Sequence, residues 1–300
     1  IKEKGETAVV MQLAGELGIS EALANLMVQR SITTPVEAKA FFEPDLDYLH
    51  DPFMMKDMNI AVERISAAIK KNEKILVYGD YDVDGTTAVA LMYSFLKEQY
   101  SNVEYYIPDR YKEGYGVSFQ GIDFAFQNNC RVMITLDCGI KAVEKVKYAR
   151  SKGIDVIVCD HHYPGDEIPK AIAVLDPKQP GCSYPYKELS GCGVGFKLVH
   201  AYSRVHGIPF GKIAGYLDLV AVSIASDIVP LTGENRVLAY FGLKQLNDAP
   251  RTGLKEIIRE AEVCRALTVE DVVFKIGPRI NAAGRMEAGS KAVELLISSD

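Results

Sequence analysis

From Lys56 to Pro185 the chain alternates short apolar runs with segments of helical period, and three of the runs end alike. Ile75 to Gly79 (ILVYG) passes into Asp80-Tyr81-Asp82-Val83-Asp84-Gly85, Arg131 to Leu136 into Asp137-Cys138-Gly139, and Ile154 to Cys159 into Asp160-His161-His162. Runs this short, rich in β-formers and bounded by Gly, predict strands near 75–79, 103–107, 131–137, 154–159 and 171–175. Helical character lies between them, from Lys56 to about Lys71 and again from Thr86 to Lys97. The alternation predicts an α/β fold, a parallel sheet flanked by helices in a Rossmann-like arrangement. Residues 1–55 form a helical lead-in, with periodic segments at Glu6 to Leu17 and Ser20 to Val28, and a short helix opened by Thr34-Pro35 and stopped at Pro44. After Pro185 strand signals vanish and helices dominate, broken at Gly207-Ile208-Pro209, Leu231-Thr232-Gly233 and Asp248-Ala249-Pro250. The expected organisation is therefore a lead-in (1–55), a sheet region (56–185) and a mostly helical region (186–300).

In open α/β sheets ligands bind at the carboxyl ends of the strands, so the acids stand where function is expected. Asp80, Asp82 and Asp84 repel one another unless a cation or protons intervene. Their spacing also begins a calcium loop of the EF-hand type, but the bidentate Glu needed at the twelfth position is Leu91, and a strand-like run stands where a helix should precede the loop. A solvated acidic turn is the plainer reading of one such motif. Likewise Asp137 alone is an ordinary N-cap for a helix after Gly139, and a lone His is ordinarily a surface or core residue. Carboxylates and imidazole converging from three strand ends instead make a ligand set for a hard or borderline divalent cation. Asp82 and Asp84 can face one site if the chain turns at Gly85, and Asp137, arriving on a neighbouring strand, is placed to bridge two ions.

Composition leaves this picture intact. The 300 residues, 48% hydrophobic and 25% charged, are those of an ordinary globular protein. No apolar run approaches the roughly 20 residues of a membrane span, and no basic-then-apolar leader opens the chain, so a cytoplasmic protein without a membrane partner is expected. The six cysteines form no C-x-x-C pair, which argues against a zinc ribbon or a thioredoxin motif. A net charge of −6 is unusual for a nucleic-acid enzyme, yet several of these charges are the proposed ligands that cations would offset. Basic residues gather at Arg110 and Lys112 and at Lys275, Arg279 and Arg285. Gly191, Gly193 and Gly195 lack the preceding strand of a dinucleotide site, and Gly193 and Gly195 are expected to permit tight packing near the acids. Tyr105, Tyr106, Tyr111 and Tyr115 could stack single-stranded bases or simply pack.

The ordered set Asp80 to Gly85, Leu136-Asp137-Cys138-Gly139, Asp160-His161-His162 and Ala225-Ser226-Asp227-Ile228-Val229-Pro230 resembles the DHH phosphoesterase superfamily, and within it the bacterial single-strand-specific exonucleases. Tyr106 to Gly116, Leu189 to Leu198, Gly233 to Arg236 and Gly277 to Met286 support the likeness, which covers nearly the whole chain. The resemblance implies metal contacts from Asp82, Asp84, Asp137, His161 and Asp227, with Asp80 as a further ligand or support. His162 then faces the substrate phosphate or a leaving oxygen, and Asp160 orients the imidazole from behind. Arg110 is associated with the 5′ end of the substrate; Arg279 and Arg285 flank Asn281 in a segment whose Gly and Ala would let a nucleic-acid backbone reach them for phosphate contacts or would serve a helix-packing turn. Mixed carboxylate and imidazole ligation suits Mn²⁺ best and Mg²⁺ acceptably. Two ions roughly 3.5–4 Å apart would activate water for phosphodiester hydrolysis.

The implied function is 5′-to-3′ exonucleolytic hydrolysis of single-stranded DNA in repair and recombination, with a helicase or single-strand-binding protein as partner. Two rival readings are a DHH phosphoesterase for short oligonucleotides, cyclic dinucleotides or pyrophosphate, and a non-catalytic nucleic-acid-binding scaffold. Residues 56–300 correspond to the DHH catalytic domain. A DHH-associated domain, which follows it in the family, is expected to be absent from this chain.

Overall fold

Five short parallel strands, β1 (Lys74–Gly79), β2 (Val103–Tyr106), β3 (Cys130–Leu136), β4 (Asp155–Cys159) and β5 (Ala173–Leu175), form one sheet in the order β2-β1-β3-β4-β5. The computed structural model describes residues 3–286 and 289–299. Each strand lies within a residue or two of its predicted run. The central strands are apolar beyond their first residues because both sheet faces are covered there. Leu76, Tyr78, Met133, Val156 and Val158 point to one face and join Ile122, Ala125, Val146 and Ala149 in a buried core. Those last four belong to α6 (Phe119–Gln127) and α7 (Val143–Ser151). The alternate residues Ile75, Val77, Ile134 and Ile157 are equally buried, on the face where α4 (Met58–Lys70), α5 (Val83–Gln99) and α8 (Gly191–Val205) pack.

The predicted helical region follows as α9 (Phe210–Ala214), α10 (Leu217–Ser226), α11 (Gly233–Asp248), α12 (Thr252–Glu260), α13 (Val269–Asp271), α14 (Gly277–Met286) and α15 (Gly289–Ile297), with one π-helical turn at Val272–Ile276. α10 packs on α5, α8 and α11, so this region shares its core with the sheet layer.

Residues 1–49 and 50–300 are separate compact units. In the first, α1 (Thr7–Leu17), α2 (Glu21–Val28) and α3 (Pro35–Phe42) bury Val10, Leu13, Ala24, Met27, Ile32 and Ala38 together. Thr34 and Glu37 form the capping box that opens α3 at Pro35. The division falls at 49/50 rather than at the expected 55/56, because residues 50–55 are tied into the second unit. The His50 N–H donates to Glu234 Oε1 (2.9 Å), Lys197 Nζ donates to the His50 carbonyl (2.6 Å), and Asp51 pairs with Arg204 (2.7 Å). No helix of the described residues is long and apolar enough to cross a membrane.

Candidate metal centre

The strand order 2-1-3-4-5 reverses between β1 and β3, and at such a switch point the two connections leave in opposite directions and open a crevice. Asp80 follows β1, Asp137 follows β3, Asp160 and His161 follow β4, and Asp176 follows β5. The chain thus delivers a carboxylate to one sheet edge from four strands. Asp137 sits at φ 58°, a left-handed conformation rare outside Gly. It is not an N-cap, because α7 starts at Val143.

α5 begins at Val83, three residues before the predicted start, because Asp82 is its N-cap and accepts from the Gly85 N–H (2.9 Å). Asp84 therefore lies in the first helical turn. Gly85 is needed for space rather than for an unusual backbone angle: a Cβ there would lie 2.5 Å from the Asp80 carbonyl oxygen. Asp84 turns to the N-terminus of α8, where its two oxygens accept from the N–H groups of Gly191 and Cys192, each at 2.7 Å. Gly191, rather than Gly193 or Gly195, makes the closest approach to the acids, since a Cβ on it would lie 2.6 Å from the Asp137 Cβ.

His161 Nε2 is the centre of the cluster. It lies 3.1 Å from Asp137 Oδ1, 3.7 Å from Asp84 Oδ2 and 3.7 Å from Asp227 Oδ2. Asp227 ends α10, and the next residue, Ile228, takes φ 56° to turn the chain away. One donor atom each from Asp84, His161 and Asp227 fall within 4.8 Å of one another, as do those from Asp137, His161 and His162. Asp82 lies close enough to Asp137 for its charge to raise the Asp137 carboxyl. Asp80 stands apart from both triads, with Oδ1 accepting from Gly116 N–H at 3.2 Å.

Electrostatically this cluster is unresolved. Burial, then repulsion from Asp84 and Asp82, raises the Asp137 carboxyl well above its ordinary range. Burial and Asp82 push Asp80 up to about 7, and burial with Asp84 and Asp82 pushes Asp227 up to about 7. Burial and Asp84 raise Asp82. Asp80 Oδ2, Asp137 Oδ1 and both ring nitrogens of His161 are buried without a hydrogen-bond partner. Buried polar atoms are normally paired, so the orphaned Asp137 Oδ1 and His161 Nε2, 3.1 Å apart, fit a divalent cation. Burial lowers the His161 pKa, which keeps its imidazole neutral, the form a ligand needs.

The neighbouring His162 is pushed the other way. Asp160 Oδ1 lies 2.7 Å from His162 Nδ1, and that hydrogen bond raises the His162 pKa against its partial burial. Asp160 thus orients the ring of His162, not of His161. Burial acts to raise Asp160, but His162 and the N–H groups of Ile140 and His162 together hold it below the ordinary carboxylate range. Nε2 of His162 meets the Tyr115 hydroxyl at 3.2 Å. Tyr115 packs edge-on to Tyr81, over whose ring the Arg110 guanidinium sits at 5.1 Å. Arg110 is thereby held at the rim, since Tyr81 lies between Asp80 and Asp82. Beside His162 opens a cavity of about 200 Å³, walled by Tyr115, Val117, Ile140, Lys141 and Lys145.

Arg279 turns its guanidinium to the backbone, donating to the Lys275 carbonyl (2.8 Å) and the Glu260 carbonyl (3.5 Å). Asn281 is half-buried on the same helix, and the side chain of Arg285 lies outside the described residues. Two participants went unread in the sequence. Asp176, buried and pushed by that burial up to about 7, ends Ala173-Val174-Leu175 in the same pattern as the other acids, so its signal was present. Ser223, which donates to Asp84 at 2.7 Å, lies inside the apolar run of α10 and gives no signal.

An open parallel sheet with acids and imidazole converging at its switch point defines a doubly wound α/β domain with a candidate metal site. The DHH family, N-terminal domain, is matched over residues 74–224, and the chain belongs to the DHH family. It is 43% identical to the single-stranded-DNA-specific exonuclease RecJ of Bacillus subtilis, over 97% of this chain and 36% of that protein. It is 38% identical to the RecJ of Escherichia coli, over 79% of this chain and 43% of that protein. Among solved structures, RecJ of Thermus thermophilus in complex with Mn²⁺ is similar with a TM-score of 0.82 at 28% identity, covering 98% of this chain and 42% of that one. An exonuclease RecJ bound to manganese is similar with a TM-score of 0.76 at 32% identity, covering 85% and 63%. The chain spans less than half the length of these two curated relatives.

Proposed function

We propose that this chain is the DHH catalytic domain (residues 50–300, led in by 1–49) of a metal-dependent exonuclease that hydrolyses single-stranded DNA from its 5′ end. The observation that carries the reading is His161 Nε2, buried without a hydrogen bond within 3.7 Å of three carboxylates. The names of the similar proteins, single-stranded-DNA-specific exonucleases with structures in complex with Mn²⁺ and Mg²⁺, support it. In this reading Asp82, Asp84, Asp137, His161 and Asp227 hold two divalent ions, Mn²⁺ first and Mg²⁺ second, with Asp80 as a further ligand or support.

When bound, such ions lower the pKa of a water and brace the attacking and leaving oxygens of an in-line displacement. The chain's own residues do the rest. Asp137 and His161 fix donor positions on rigid strand ends, where tight packing limits their movement. His162, held by Asp160 with Nδ1 as donor, carries a second proton on Nε2 when charged and presents it to a phosphate oxygen or to the leaving oxygen. The Tyr115 hydroxyl then gives way. Arg110, braced on Tyr81, offers a planar fork to the 5′ phosphate. Asn281 and Arg285 remain phosphate contacts in the proposal. Arg279 does not, because its guanidinium already caps backbone carbonyls. A cytoplasmic role in repair and recombination, fed by a helicase or single-strand-binding protein, follows from the same reading.

Incubation with Mn²⁺ and a 5′-phosphorylated, 3′-labelled single strand tests it. Mononucleotides released from the 5′ end, with duplex DNA spared and release stopped by EDTA, are expected. Rapid turnover of pyrophosphate or a cyclic dinucleotide with the single strand intact would overturn it, and binding without any hydrolysis would favour a scaffold.

A further inference from the structure

Asp84 takes a third hydrogen bond besides the two from α8, and it comes from a residue outside the strand ends. Ser223, fully buried in α10, places Oγ 2.7 Å from Asp84 Oδ1 and 2.6 Å from Ser190 Oγ. Ser190 is the N-cap of α8 and accepts from the Gly193 N–H at 3.1 Å. A hydroxyl has one proton, so Ser223 donates to only one of its two neighbours. Asp84 Oδ2 already accepts from Gly191 and Oδ1 from Cys192, so the carboxylate acts as an acceptor throughout. The consistent order runs Ser190 O–H to Ser223 Oγ and Ser223 O–H to Asp84 Oδ1, with every proton used once.

A hydroxyl inside an apolar helix is costly to bury unless it is hydrogen-bonded, and here it is bonded to a carboxylate at the centre of the cluster. We infer that Ser223, backed by Ser190, is a positioning residue that locks Asp84 in the orientation in which Oδ2 faces His161, presetting the site for its cation. This rests on Asp84 being a cation ligand. Charge-assisted bonds of this length are the stronger kind, and partners behind a ligand typically tune metal affinity by 10- to 100-fold. The helix N-terminus contributes a fixed positive end beside Asp84 that Ser223 does not supply, so the effect of the serine belongs at the low end.

Calorimetric titration of the metal-free protein with Mn²⁺, without substrate, reads this directly. Ser223→Ala is expected to weaken Mn²⁺ binding about tenfold in a protein that still unfolds cooperatively in EDTA, at a melting temperature a few degrees lower, roughly as one buried hydrogen bond is worth. Ser223→Thr, which keeps the hydroxyl, recovers most of the affinity. Ser190→Ala, which leaves the bond to Asp84 in place, weakens it less than Ser223→Ala does. Should Ser223→Ala not fold, Ser223→Cys, nearly equal in size but a poor donor, is expected to show the same loss. Undiminished Mn²⁺ affinity in the folded Ala or Cys variant overturns the positioning role. If the unchanged protein binds no Mn²⁺, the reading of the site itself falls, and the role of Ser223 with it.

Discussion

Two places in the larger unit bury charge, and they are resolved in opposite ways. Midway along α8, Lys197 meets Glu234 of α11; both are fully buried and lie 2.9 Å apart. Glu234 also accepts from the Tyr184 hydroxyl (2.6 Å) and the His50 N–H (2.9 Å), and Lys197 also donates to the His50 carbonyl (2.6 Å). Each charge has its counterpart within the chain. At the head of α8 the carboxylates of Asp80, Asp82, Asp137 and Asp227 are raised by burial and by one another, and Lys178, whose ammonium donates to the His161 carbonyl (2.8 Å), only partly offsets this at Asp227. One network closes on itself, and the other holds more negative charge than Lys178 and His162 offset. The difference separates a structural ion pair from a site built for something the chain does not supply.

The sharpest way to break this comparison is to remove one charge from each place. Asp137→Asn is expected to lower nuclease activity by about 1,000-fold or more, because the carboxylate nearest His161 is lost. The metal-free variant should be at least as stable as the parent, since a repelling carboxylate has gone. Lys197→Ala should do the reverse: it leaves Glu234 buried without its counterion, at a cost of about 3–5 kcal/mol in chemical denaturation. A destabilised Asp137→Asn, or an unaffected Lys197→Ala, would erase the distinction.

Histidine gives a smaller effect. His162→Gln removes the proton donor but leaves His161 and the acids, so a loss of about 100-fold in kcat is expected, with Mn²⁺ affinity little changed. An equal loss of Mn²⁺ affinity would show that His162 is a ligand rather than an acid.

A further prediction concerns pH. Asp80 and Asp227 titrate near 7 in the folded chain, against about 4 when unfolded. The folded state therefore binds more protons between these values, so stabilisation present below about pH 4 is lost as pH rises through about 7. The melting temperature of the metal-free protein should fall from about pH 6 to about pH 8, and added Mn²⁺ should raise it more at the higher pH. A melting temperature that climbs over this range without metal would contradict the shifts.

Much of the candidate site could be read in advance because the signal was local. An apolar run that ends in Asp is a strand delivering a carboxylate, and it held for Asp80, Asp137 and Asp160; Asp176 carried the same signal unread. The fold followed from the same alternation. What could not be read depends on residues distant in sequence. Nothing near Asp84 reveals that Gly191, Cys192 and Ser223 would surround it, more than 100 residues away. Asp160 gave no hint of which adjacent ring it would hold. Arg279 appeared suited to phosphate from its neighbours, yet its partners are the carbonyls of Lys275 and Glu260. α5 starts three residues before its helical pattern begins because Asp82, besides facing the cluster, caps the helix.

The central claim is that the head of α8 faces a cluster completed by a divalent cation. Titrating the metal-free protein and Asp137→Asn with Mn²⁺ at about pH 8, and counting free Mn²⁺ by electron paramagnetic resonance, tests it most directly. Tight uptake by the parent, most of it lost in Asp137→Asn, is the predicted result. Equal uptake by both proteins, or none by the parent, would contradict it.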